Sequence, residues 1–295
     1  YDKDYFDIYS ENSEIEISYV DDKLTPETSY MAEGYDGVCV FVNDIVNSEV
    51  IDKLCEFGVK IIVLRCAGYN GVDIKYAKNK ITVVRVPAYS PNSIAEISAG
   101  MMLCLTRKIP QAIEKTKKYN FSLEGLVGFD LVNKTAGVIG TGKIAQQFIK
   151  ILVGIGTNVI AYDVFPNNDA ARELGFKYVD LDTIYRESDI ISLNCPLTKD
   201  NAHMINENSI NKMKDGAIII NTARGGLIDT KALIKAIKSK KIYGAALDVY
   251  ENEKNYFFND CSKDGIDDEV LKELLQLENV IVFSHQAYLT KEALT

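Results

Sequence analysis

The 295-residue sequence contains no uncharged apolar run near the roughly 18 residues that a membrane-spanning helix needs, and no signal peptide is visible. It also lacks any Cys-x-x-Cys pairing. With two histidines and six cysteines, at 39, 55, 66, 104, 195 and 261, no metal site is expected. Most of these cysteines lie in apolar segments, which predicts buried free thiols and a reducing, cytoplasmic setting. Positive charge is not in surplus. The net charge of −9 argues against a nucleic-acid binder, which would show a basic face, and no membrane partner is expected. Internal repeats and low-complexity segments are absent too.

What remains has the composition of a globular protein, 47% hydrophobic and 25% charged, in a chain long enough for two domains. It starts at Tyr1 rather than Met and stops at Thr295, inside an apparent helix start (Thr290 to Leu294), which predicts that both ends are cut.

The most informative stretch is TAGVIGTGKIAQQFIKILVGIGTNVIAYD, residues 135 to 163. It reads as a strand (Thr135 to Ile139), a glycine turn, a helix (Ile144 to Val153), a second strand (Asn158 to Tyr162) and an acid. Gly140 permits a tight turn out of the strand. Gly142 removes a side chain, so that a pyrophosphate can approach the amides at the helix N-terminus, where the dipole favours an anion. Ala145 stands at the third glycine position of GxGxxG and is small enough for close helix-to-strand packing. Asp163 lies near the expected offset of ~20 residues, where its carboxylate accepts from a ribose 2′-hydroxyl and repels a 2′-phosphate. The cofactor predicted is NAD rather than NADP.

Around this unit the chain alternates apolar runs with helical patterns, which predicts an α/β protein with parallel sheets. Strands are expected at Ile15 to Val20, Gly37 to Val42, Val59 to Leu64 and Thr82 to Val86, with helices at Ser48 to Phe57 and Asp73 to Lys78. An opening strand before Tyr1 would also be expected. A helix from Asn92 to about Leu105 is apolar nearly all round in its second half and should be buried. The basic residues of Arg107 to Lys118 read as a solvated face. Further strands are expected at Asp189 to Asn194, Ala217 to Asn221, Tyr243 to Leu247 and Val280 to Phe283, with an amphipathic helix at Thr230 to Ser239.

Candidate chemistry gathers at the strand ends, where open α/β sheets bind ligands. Arg65 to Asn70 and Pro87 to Pro91, the latter with Tyr89, follow two of the earlier strands; ordinary turns would read the same way. Later come Cys195-Pro196, Thr222-Ala223-Arg224-Gly225-Gly226, Asp248 to Glu253, and His285. An arginine, a carboxylate and a histidine are what reduction of a 2-keto acid needs. Arg224 would grip the substrate carboxylate and polarise the carbonyl. His285 would pass the proton, and Glu253, in contact with it, would favour its charged form. The alternatives are an arginine that satisfies loop carbonyls, a solvated glutamate and a structural histidine. His203, with no acid or glycine motif beside it, reads as structural.

RCAGYNGVD, VPAYSPNSIAE, GVIGTGKIA, NTARGGLID, LDVYENE and HQAYLT, in that order, resemble the D-2-hydroxyacid dehydrogenases, and most of all the fermentative NAD-dependent D-lactate dehydrogenases of bacteria. The resemblance covers nearly the whole chain. It implies two Rossmann-like parallel-sheet domains: a flavodoxin-like substrate domain, residues 1–91 completed by 286–295, and an NAD-binding domain, residues 92–285, with an inter-domain helix at its start. It further implies closure of one domain over the other, and homo-oligomers. Arg224 would bind and polarise the substrate, His285 donate the proton and Glu253 pair with it. Ala67 and Gly68 would offer amides to the substrate carboxylate, with Tyr89 and Tyr288 lining the pocket. Besides Gly140 and Gly142, the residues Lys143, Ile144, Asp163, Cys195, Pro196, Asn201, Thr222, Ala223 and Asp248 match cofactor positions.

There are departures. Ala145 replaces a glycine, Asn194 and Ile97 stand where relatives often carry histidine, which predicts a different pH dependence or cofactor affinity, and the last helix of relatives is missing after Thr295. The activity implied is NADH-dependent reduction of pyruvate to D-lactate. The alternatives are a larger 2-keto acid as substrate and an NAD-sensing binding protein on the same fold.

Overall fold

A computed structural model describes residues 2–295. The chain folds into two compact units, one running up to Ser90 and including Thr290–Thr295, the other Pro91–Leu289.

The first unit holds a parallel sheet of three strands, β1 (Gly37–Val40), β2 (Ile61–Leu64) and β3 (Thr82–Arg85), in that spatial order. Helices connect them. Ser48–Glu56 is capped by Asn47, whose side chain accepts from the Val50 amide at 3.0 Å, and Ile74–Ala77 by Asp73, which accepts from the Tyr76 amide at 3.0 Å. Such caps satisfy amides that have no partner in the first helical turn.

One expectation fails here. Ile15 to Val20 joins no sheet, and Ile15, Tyr19 and Val20 are exposed. Tyr19 instead turns to the helix Asp2–Ser10: its hydroxyl donates to Asp7 at 2.8 Å and Lys3 lies 4.6 Å from its ring centroid. An alternating pattern makes a strand only where a neighbouring edge takes up its backbone groups.

The second unit carries a parallel sheet of seven strands. In chain order they are β4 (Thr135–Ile139), β5 (Asn158–Tyr162), β6 (Lys177–Tyr178), β7 (Ile190–Leu193), β8 (Ala217–Asn221), β9 (Ile242–Leu247) and β10 (Val280–Val282), in the spatial order β10-β9-β8-β7-β4-β5-β6. The chain lays β4 to β6 in one direction, then crosses over to place β7 on the other side of β4. Their carboxyl ends form the switch point at which open α/β sheets bind ligands.

Both faces of the sheet are covered. In β8, Ala217 and Ile219 face one core with Leu233 and Ile237, while Ile218 and Ile220 face the other with Met102, Phe148 and Leu152. This alternation across a sheet buried on both sides explains why β8 reads as a continuous apolar run. The helix Pro91–Thr106 buries Met101, Met102 and Leu105, so the methionines are packing residues. The helix Ile109–Lys117 has no buried residue, in keeping with a solvated basic face.

The six cysteines are all free, but only Cys66 is buried, whereas Cys39 is exposed and the other four are partly exposed. The expectation of buried thiols is therefore corrected. Cys39 lies in the edge strand of the small sheet, Cys55 and Cys104 lie on helices with one face towards solvent, and Cys195 and Cys261 lie in loops. No helix among the described residues is long and apolar enough to cross a membrane, and none of them groups into a metal site.

Candidate active site

At the end of β4 the backbone enters the left-handed region at Gly140 (φ 90°), and a Cβ there would meet the Asn194 carbonyl carbon and oxygen at 2.7 Å and the Cys195 amide at 2.9 Å. Only glycine tolerates both conditions. Gly142 is the N-cap of the helix Lys143–Ile155, with no side chain capping it and open space where its Cβ would stand. An uncapped helix N-terminus facing open space suits a pyrophosphate, whose oxygens the first amides, at Lys143 and Ile144, would hold.

Asp163, just past β5, accepts from the Thr141 amide at 2.6 Å, the Thr141 hydroxyl at 2.9 Å and the Phe165 amide at 2.8 Å. Burial works to raise its carboxyl, but the amides of Phe165 and Thr141 and the Thr141 hydroxyl hold it below the usual carboxylate range. It stays ionised beside the glycine turn, as the expected contact with a ribose requires. Thr141 is itself braced by the Tyr178 hydroxyl at 2.8 Å, a contribution from β6 that motif reading did not reveal.

The sign of the Asp163 shift gives a test. A lowered folded value stabilises the protein above the ordinary carboxylate range, and this share is lost as pH falls through the folded value. Asp163→Asn is expected to melt below the parent at pH 7, with a gap that closes as the pH is lowered below 4. It should also reduce the preference for NADH over NADPH roughly 100-fold, equivalent to about 3 kcal/mol of like-charge repulsion removed. Thermal melts at several pH values and titrations with both nucleotides check this. An unchanged preference would remove Asp163 from the ribose site.

The loop after β7 lies against this turn at Asn194 and Cys195, and the loop after β8 follows the next strand of the sheet. Asn201 shapes the first, donating to the Pro196 carbonyl at 2.8 Å and accepting from the Thr198 amide at 2.7 Å. Burial pushes the Cys195 thiol up to about 11, so it stays protonated. In the second loop, buried Asn221 accepts from the Ala223 amide at 3.0 Å and donates to the Arg224 carbonyl at 2.9 Å. It holds the Arg224 turn from below. Asparagine before a turn was the signal that could have found it. The Thr222 hydroxyl meets Ser98 on the helix Pro91–Thr106 at 3.0 Å.

Arg224 places Nη1 2.6 Å from the Ala223 carbonyl, and no carboxylate among the described residues forms an ion pair with it. Gly225 lies so close to the Tyr250–Glu251 peptide that any Cβ would overlap its backbone.

His285 follows β10 in the left-handed region (φ 59°). Its Nδ1 is 2.8 Å from Glu253 Oε1, both side chains are mostly buried, and the Phe258 ring lies 5.8 Å away. Glu253 Oε2 accepts from the Tyr250 amide at 2.9 Å, so both carboxylate oxygens are engaged. Nε2 of His285 has no hydrogen-bond partner among the described residues.

Buried Asp248 accepts from the amides of Gln286 at 2.8 Å and Ala287 at 3.0 Å, and its carbonyl accepts from the His285 amide at 2.7 Å. Burial raises its carboxyl against the pull of the Ala287 amide and the His285 charge. Asp248, expected as a cofactor residue, also holds the loop that carries His285 and Tyr288.

Ala67, Gly68 and Tyr89 belong to the first unit. Ala67 and Gly68 lie in the loop after β2, whose shape Arg85 sets by donating to the Ala67 carbonyl and lying 5.3 Å from the Tyr69 ring centroid. Tyr89 follows β3 and is partly exposed.

Residues 99–287 match the family model described as D-isomer specific 2-hydroxyacid dehydrogenase, NAD binding domain. The chain is 49% identical to a D-lactate dehydrogenase of Escherichia coli over 296 aligned positions, spanning 100% of this chain and 90% of that protein. It is 44% identical to an aromatic 2-oxoacid reductase of Clostridium sporogenes, over 99% of this chain and 88% of that protein. A D-lactate dehydrogenase of Aquifex aeolicus, solved in complex with NAD and lactic acid, superposes with a TM-score of 0.88 at 34% identity, covering 99% of this chain and 88% of that one. The uncapped turn at Gly142 and the ionised acid at Asp163 fit the dinucleotide that this family uses, NAD. The glycine turn, the seven-stranded parallel sheet and these likenesses converge, and the chain belongs to the D-isomer specific 2-hydroxyacid dehydrogenases.

Proposed function

We propose that this protein reduces pyruvate to D-lactate with NADH. The observation that carries the reading is an arginine without a carboxylate partner in the same unit as an imidazole that a glutamate holds by Nδ1, with no hydrogen-bond partner at Nε2 among the described residues. Arg224 grips the carboxylate of the keto acid with its planar fork and draws electron density towards the carbonyl oxygen. His285 gives the Nε2 proton to that oxygen, and Glu253 steadies the imidazolium beforehand. Bound NADH supplies the hydride that adds to the carbonyl carbon. Ala67, Gly68, Tyr89 and Tyr288 are proposed substrate contacts, and Gly140, Gly142, Lys143, Ile144, Asp163, Cys195, Pro196, Asn201, Thr222, Ala223 and Asp248 the residues that hold or frame the dinucleotide.

A second reading, a larger 2-keto acid as substrate, is favoured by the 44% identity to the Clostridium sporogenes aromatic 2-oxoacid reductase. NADH oxidation with pyruvate, 2-ketoisocaproate and phenylpyruvate separates the two. A kcat/KM at least ~10-fold higher on pyruvate, worth about 1.4 kcal/mol, is expected. Preference for phenylpyruvate would move the assignment to the aromatic acids, and NADH binding without turnover on any of them would leave a nucleotide-binding protein.

We further propose self-association. Beyond the helix Ile109–Lys117, Tyr119, Phe121, Leu123 and Val127 are 87%, 73%, 79% and 85% exposed, a clustering of large apolar side chains typical of an interaction surface. Sedimentation velocity is expected to show at least a dimer, and Phe121→Asp with Val127→Asp to shift it to monomer. A monomeric parent chain would refute the proposal.

A further inference from the structure

The chain has two histidines, and each pairs with a carboxylate of the same Glu251-Asn252-Glu253 segment. His285 Nδ1 meets Glu253 at 2.8 Å, and His203 Nε2 meets Glu251 Oε2 at 3.0 Å. Both histidines lie in the left-handed region, at φ 59° and 50°, where residues other than glycine are uncommon and must be held by their surroundings. For His203 the hold is specific. Its amide donates to the Gly226 carbonyl at 2.8 Å, and its own carbonyl accepts from the Asn206 side chain at 2.7 Å.

Glu251 reaches the same loop from the other side. Its Oε1 accepts from the Thr230 amide at 3.2 Å, at the N-terminus of the helix Thr230–Lys238, where a negative charge is favoured. The Gly225 backbone abuts the Tyr250–Glu251 peptide. The loop that begins with Arg224 is therefore tied to His203 through Gly226 and to Glu251 through Gly225 and Thr230. The His203–Glu251 pair closes the ring.

We propose that His203 and Glu251 are a positioning pair for Arg224. Two residues after Glu251, Glu253 holds His285, so one short segment fixes both the guanidinium that grips the substrate and the imidazole that protonates it. This rests on Arg224 and His285 having the roles given under the proposed function. The His203 side chain is 49% exposed, and a polar pair so open to water adds little to global stability. Its effect belongs in the kinetics, because a small displacement of a binding group lowers the fraction of productive encounters.

The full chain with NADH tests this through His203→Ala and His203→Gln, each alone and combined with Arg224→Ala. His203→Ala is expected to raise KM for pyruvate and to lower kcat/KM roughly tenfold, with NADH affinity by fluorescence within about twofold of the parent. The affinity of the NADH-bound protein for oxamate, an unreactive carboxylate analogue, should fall in step. His203→Gln, which can still donate to Glu251, should recover most of the loss. In the Arg224→Ala background, assayed at higher enzyme concentration, His203→Ala should cost nothing more, since its target is gone.

An equal loss in both backgrounds, a loss that follows a lowered melting temperature and is not recovered by glutamine, or unchanged kinetics would overturn the pair while leaving the proposed function intact. Absent turnover in the parent, or Arg224→Ala with parental kinetics, would instead overturn the proposed function and this inference with it.

Discussion

Replacing His285 with alanine is expected to lower kcat on the preferred keto acid by three to four orders of magnitude, about 4–5.5 kcal/mol of barrier, while leaving NADH binding within about twofold. The reason lies in how the ring is held. Glu253 occupies Nδ1 and orients the imidazole, and the bond from the His285 amide to the Asp248 carbonyl at 2.7 Å fixes the backbone from which it projects. No other imidazole can take over, because His203, the second histidine of the chain, is engaged with Glu251. Glu253→Gln keeps a hydrogen-bonding group but loses the charge that the proposed mechanism uses, and an intermediate loss of about 10- to 100-fold in kcat is expected. Steady-state kinetics and nucleotide titration of the two variants measure both effects. A loss below tenfold in His285→Ala would exclude it as the proton donor.

Arg224→Ala should cost kcat/KM for pyruvate roughly 100- to 10,000-fold, since two charge-assisted bonds to a carboxylate contribute about 3–5 kcal/mol together. Arg224→Lys should regain less than a tenth of the parental value, because an ammonium cannot reproduce the fork. The affinity for NADH should stay within about threefold in both. Near-parental activity in the lysine variant would mean that Arg224 acts only as a diffuse positive charge. An arginine that merely satisfied the Ala223 carbonyl, its contact in the structure at 2.6 Å, would affect stability and leave kcat/KM unchanged.

Gly140, Gly142 and Asp163 were readable because a turn, a helix start and an acid after the next strand lie within one short βαβ unit, and each imposes a local demand on residue type. The strands of the larger sheet were readable for a similar reason: burial on both faces makes them nearly all apolar, as in β8. Ile15 to Val20 misled because alternation records a preference for a sheet edge, and pairing depends on whether an edge is there.

The sequence alone determined the α/β class, the dinucleotide turn and the presence of an arginine, an acid and a histidine at strand ends. The resemblance assigned Glu253 to His285, 32 residues away, but nothing in the sequence joined Glu251 to His203, 48 residues away. The tertiary structure alone gave this other histidine its acid. It likewise turned Asp248 towards the amides of Gln286 and Ala287, and brought Asn221 beneath Arg224. Periodicity and turn chemistry act over a few residues, where the chain's own connectivity supplies the geometry. Partners that meet across several strands are set by the order and register of the sheet, which only the packed core specifies.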